Sequence, residues 1–97
     1  EVTIRIPKIP KKISDLRKLP VVRVGWEDAA SGGKWLPYLE AQSQRGLVYC
    51  ETIGFLVKRS AKEMLVCQSV SENGHVDGGL TIPTHSVRSI RTLGRRG

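Results

Sequence analysis

The stretch from Thr52 to Leu93 constrains the fold most. It holds three apolar runs, Ile53 to Val57, Met64 to Val70 and Val87 to Leu93, each bounded by polar or Gly-containing turn material. Runs this short, rich in β-branched residues and punctuated by turn signals, read as successive strands rather than helices. A chain of 97 residues with 39% hydrophobic content can build one compact core and not two. The expectation is therefore one small antiparallel barrel.

The remaining segments fill in around those runs. Val22, Val24 and Trp26 alternate with Val21, Arg23 and Gly25 at the period of a strand, and Gly25 marks a bend or bulge. Ser31-Gly32-Gly33 lies in a loop, and no G-x-x-x-x-G-K-[ST] pattern surrounds it, so a phosphate-cradling role is set aside. From Trp35 to Arg45 the helix formers Leu39, Glu40, Ala41, Gln42 and Gln44 follow Pro37, and Gly46 stops them. The apolar stripe of this short helix, Trp35 with Leu39, is expected to plug an open end of the barrel.

Leu47 to Arg59 reads as one long bent strand or as two joined at Gly54, the bend letting one strand serve both halves of a small barrel. Lys58 to Lys62 makes a hairpin loop and Glu72 to Gly79 a turn cluster. Leu80 to Ile82 is a short strand ended by Pro83, and Thr84-His85-Ser86 suits a single 3₁₀ turn.

Residues 1–19 are of a different kind. Pro7, Pro10 and Pro20 forbid a continuous helix, and Val2, Ile4 and Ile6 alternate with Thr3 and Arg5 as in an extended arm. Ser14 is placed to cap one helical turn through Arg17 and Lys18. The arm is too apolar to be a solvated tail. It should lie against its own barrel or a neighbouring molecule, and Ile4, Ile6 and Ile9 are the candidate protein-interface residues.

Charge is segregated along the chain. The net charge is +7. Residues 1–18 carry +4 through Arg5, Lys8, Lys11, Lys12, Arg17 and Lys18 against Glu1 and Asp15. Residues 88–97 carry another +4 through Arg88, Arg91, Arg95 and Arg96, and the middle of the chain is −1. A solubility surface intersperses both signs, so an excess confined to the two ends asks for an anionic partner: nucleic acid or an acidic protein surface. Lys34 beside Trp35 adds a base and a stacking platform to that candidate nucleic-acid set. The plainer reading, solvated basic tails, stands beside it.

No chemistry is legible. His75 and His85 lack a second ligand at metal-binding spacing, the carboxylates are scattered, and no G-x-S-x-G is present. The chain reads as non-enzymatic, with no cofactor, no metal and no small-molecule substrate. Cys50 and Cys67 fall among apolar neighbours outside any C-x-x-C pair, which reads as buried free thiols in a reducing compartment. No apolar run approaches the roughly 18 residues that span a bilayer, so no membrane is expected. No secretory signal is visible, but the chain opens on Glu1 and not Met, so that absence weighs little.

The order of elements resembles a five-stranded SH3-like or Sm-like small barrel. More closely, G-W at 25–26, G-G-K-W at 32–35, I-G-F-L at 53–56, C-Q-S-V-S-E-N-G at 67–74, L-T-I-P at 80–83 and V-R-S-I at 87–90 resemble a group of small proteins encoded by bacteriophages and prophages. The resemblance covers about residues 21–93. It implies a mainly β SH3-like barrel over residues 20–93, with one short helix, and a host-cytoplasmic or virion location. It implies no chemistry, and it reaches neither the basic arm, residues 1–19, nor the basic tail, residues 94–97. Two functions are carried forward: nucleic-acid binding through arm and tail, and a structural or adaptor role in a phage particle or host-takeover complex, with the arm adding to another subunit's sheet edge. Homo-oligomers overlap with both.

Overall fold

The computed structural model describes residues 4–29, 35–43 and 46–93. Val2, Thr3, Ser31 to Lys34, Gln44, Arg45, Arg95 and Arg96, all named above, lie outside them. Five strands form one antiparallel sheet: β1 (Val21–Ala29), β2 (Leu47–Arg59), β3 (Glu63–Val70), β4 (Val76–Pro83) and β5 (Val87–Thr92). Their order across the sheet is β4-β3-β2-β1-β5. A helix, α1 (Tyr38–Gln42), lies in the β1–β2 connection, and 3₁₀ turns occupy Leu16–Lys18 and Thr84–Ser86.

The strand period decides which residues make the core. Val22, Val24 and Trp26 of β1 turn to one face, where they meet Leu56 of β2, Met64 and Val66 of β3, Ile82 of β4 and Val87 of β5. Trp26 keeps its indole N–H satisfied by donating to Thr52 Oγ1 at 3.0 Å. Ile4, Ile6 and Ile9 of the arm pack against this same cluster. Of the two surfaces expected for the arm, it lies on its own sheet.

β2 serves two partners in turn. Leu47 to Phe55 pair with β1, and Phe55 to Arg59 pair with β3, with Val57 bulged out between Leu56 and Lys58. Gly54 sits at the changeover. The strand is not broken there; a Cβ at this position would lie 2.6 Å from the Cys67 carbonyl oxygen and 2.8 Å from Val66 Cγ1, so the glycine admits β3 against β2. A second irregularity, between Gly25 and Trp26 in the β1–β5 ladder, leaves Arg88 outside the register.

Four expectations need correction. The sheet is open and not closed into a barrel: β4 and β5 are its outer strands, and no ladder joins them among the described residues. Pro83 has no N–H to offer, and Thr84 N donates to Lys62 O (2.9 Å) as the 3₁₀ turn carries the chain over to the far side of β1. The helix is only a turn and a half and plugs nothing, because the β1–β2 ladder runs out to Ala29 opposite Leu47 and carries the connection away from the core. Trp35, Tyr38 and Leu39 are all exposed. β4 begins at Val76, taking in residues read as turn, and the turn itself shrinks to the Ser71 N to His75 O closure, with Gly74 at φ 88°. The first 3₁₀ turn is capped by Asp15 rather than Ser14, its carboxylate accepting from Arg17 N at 2.9 Å.

Candidate nucleic-acid interface

The end of the arm and the end of β5 meet at one end of the sheet. β1 starts at Val21, and Val21 O accepts from Leu93 N at 2.8 Å, so the arm enters the sheet beside the point where β5 leaves it. Leu56 N donates to Pro20 O at 2.8 Å and holds the same junction from the other side. The arm is pinned further along by Arg59, whose Nη1 donates to Ile6 O (2.8 Å) and Pro7 O (3.2 Å). Because β2 continues past Val21 into the Lys58–Lys62 hairpin, that hairpin's bases fall on this end too.

The candidate residues divide by what they already bind. Arg5, Lys8, Lys11, Lys12, Lys18 and Arg91 are exposed, and among the described residues none has an ion-pair partner. Arg17 is engaged by Asp15 through both carboxylate oxygens at 2.9 Å. That contact holds the Asp15 carboxyl below the usual range and raises the guanidinium. Arg88 is engaged by Glu27 at 2.6 Å and donates to His85 O. These two arginines are therefore partly neutralised, and the bare positive charge is concentrated in the arm.

Arg91 adds a feature that the sequence did not flag. It stands opposite Arg23 across the β5–β1 ladder, on the face away from the core. Like charges directly opposite repel. Glu51 relieves one of them, bonding Arg23 at 2.7 Å while Tyr49 Oη donates to its second oxygen at 3.2 Å. The Arg23 hydrogen bond in the first place, and the Tyr49 bond after it, hold Glu51 below the usual carboxylate range against an opposing desolvation. A shallow hollow of about 330 Å³ opens here between Arg23, Gly25, Glu51, Ser89, Ile90 and Arg91.

Trp35 does not join this set. It follows the tip of the β1–β2 ladder, which at about 3.4 Å per residue lies about 27 Å from the Val21 end. Arg23, Lys58, Arg59 and Lys62 were missed because the middle of the chain balances to near neutrality; of these, Arg23 and Lys58 are paired with Glu51 and, at 3.3 Å, with Glu63, and Arg59 is spent on the arm. The hairpin position of K-R-S-A-K at 58–62 was the available signal. Among the described residues no group of three or more His, Cys, Asp or Glu is placed to hold a metal ion; Cys50 and Cys67 are both free thiols, but only Cys67 is buried, Cys50 standing partly exposed in β2 where no strand covers its outer side. No helix is long and apolar enough to cross a membrane among the described residues.

No family model, no curated protein and no solved structure matches the chain.

Proposed function

We propose that this is a non-enzymatic, phage-type small protein that binds nucleic acid through its basic end. The observation that carries the reading is the Leu93 to Val21 junction, which brings the arm and the end of β5 to one edge of the molecule. Unpaired bases from separate segments, gathered on one side, make a footprint for a phosphate backbone. Contacts of this kind position a nucleic acid without reading its sequence. Stacking contributes little, because exposed Trp35 and Tyr38 stand at the far end of the hairpin.

The strand order, with a 3₁₀ turn between β4 and β5, supports an SH3-like relationship in an open form. The phage-type assignment rests on the sequence motifs alone. The competing role for the arm, as a strap onto another subunit, requires Ile4, Ile6 and Ile9 to leave the core they cover. Fluorescence anisotropy with mixed-sequence duplex and single-stranded probes at about 50 and 200 mM salt tests the proposal, since several phosphate contacts lose orders of magnitude in affinity over that range. Affinity that collapses with salt and ignores sequence is the expected result. No binding at the lower salt refutes it.

A further inference from the structure

The sheet has a third free edge besides its two outer strands. β3 leaves β2 at Phe55, so from Leu47 to Gly54 the side of β2 away from β1 pairs with no described segment. Its alternate N–H and C=O groups point outward, unpaired. The two outer edges carry the devices that discourage pairing: Arg88 and Arg91 on β5, and Asp77, a left-handed Gly78 (φ 70°) and Pro83 on β4. The β2 edge has none of them. Between Leu47 and Ile53 there is no Lys, Arg, Gly or Pro, and the one charge, Glu51, is bridged to Arg23. Leu47, Val48, Tyr49 and Ile53 stand about half exposed.

We propose that this edge pairs with the same edge of a second copy, antiparallel, about a two-fold axis at Cys50. The sequence of the edge is self-complementary in that register. Leu47 faces Ile53 of the second copy, Val48 faces Thr52, Tyr49 faces Glu51 and Cys50 faces Cys50. The two members of each pair share a face of the sheet, apolar meets apolar at the ends, and no like charges meet. Centring on Glu51 sets two carboxylates opposite each other, and centring on Tyr49 sets Leu47 against Glu51, so the Cys50 register wins. The three-stranded layer β5-β1-β2 of each copy then becomes half of a continuous six-stranded sheet. The paired residues, Leu47 to Ile53, are none of the candidate nucleic-acid residues, so the pairing does not depend on the nucleic-acid reading.

The register builds in its own reporter. Directly opposed residues of an antiparallel pair have Cβ atoms about 4.5–5.5 Å apart. A short bis-maleimide, each of whose double bonds adds one thiol, therefore joins the two Cys50 side chains, while Cys67 is buried and does not react. The experiment is the solution mass by light scattering across a concentration series, without nucleic acid, followed by crosslinking. The expected result is a species of twice 10.7 kDa that crosslinks in the wild type and in Cys67→Ser. It fails to crosslink, but keeps its mass, in Cys50→Ser. The double variant Val48→Lys with Ile53→Lys, at exposed positions outside the core, is expected to lose the dimer over the same concentrations with an unchanged circular dichroism spectrum. A wild-type monomer up to about millimolar concentration overturns the proposal, as does a dimer that does not crosslink through Cys50. Because these two results come from the wild type, they stand even if the lysine variant fails to fold.

Discussion

Replacing Gly54 with Ala tests the account of how one strand serves two partners. The added Cβ would meet the Cys67 carbonyl oxygen at 2.6 Å and Val66 Cγ1 at 2.8 Å, where ordinary contact begins near 3.4 Å. The first obstacle is backbone, held by the Phe55–Cys67 pair one residue away, so β2 and β3 must separate locally. Overpacking of this kind costs about 1–3 kcal/mol. Gly54 is not in the left-handed region, so the alanine also removes unfolded-state freedom, which returns about 0.4–1 kcal/mol. The net is a loss of about 1–2 kcal/mol, or about 5–15 °C in Tm for a domain of this size. Gly46→Ala is the matched control: nothing lies within 4 Å of its Cβ and its φ is not positive, so it should be neutral or slightly stabilising. Thermal melts of the two variants beside the wild type decide the matter. A Gly54→Ala protein as stable as Gly46→Ala would refute the close-approach argument and leave Gly54 as a mere site of bending.

Two further predictions follow from the polar contacts. Arg59→Ala removes the hydrogen bonds to Ile6 O and Pro7 O, so the arm should detach more often and trypsin should cut at Lys8, Lys11 and Lys12 several-fold faster, with little change in Tm; an unchanged cleavage rate would remove Arg59 from the tether. Glu51 has a folded-state pKa below its unfolded one, so its contribution to stability is present above the ordinary carboxylate value, about 4.3, and is lost as pH falls through the lowered folded value. The pair is exposed and its effect small, so the direct readout is the Glu51 carboxyl titration by NMR, which Arg23→Ala should raise towards the ordinary value.

The strands were legible because their residues alternate and their boundaries are Gly, Pro and Asn-Gly. Gly54 and the Thr84–Ser86 turn were readable for the same reason, since each backbone demand selects a residue type. Whether the sheet closes was not legible, because closure depends on where two distant edges arrive, and no local pattern encodes that. The Trp35 and Leu39 stripe misled: apolarity says that a side chain favours burial, not that its own chain provides it. Val76 to Gly79 hid a strand behind glycines that an edge position tolerates, where Gly79 lies beneath Leu65 and Cys67. In the candidate site, counting charge found the arm but could not show that Arg88 is spent on Glu27, 61 residues away, or that Arg59 reaches back to hold Ile6 and Pro7.

The central claim is that the unpaired bases of the arm form the nucleic-acid interface and that the aromatic tip of the hairpin does not. The most direct test is the slope of log affinity against log salt for three proteins: wild type, Lys8→Ala/Lys11→Ala/Lys12→Ala and Trp35→Ala/Tyr38→Ala. The slope should be smaller by about three in the lysine variant, one for each phosphate that is no longer neutralised, and unchanged from wild type in the aromatic variant. An unchanged slope in the lysine variant together with weakened binding in the aromatic one would contradict that claim and move the interface to the other end of the molecule.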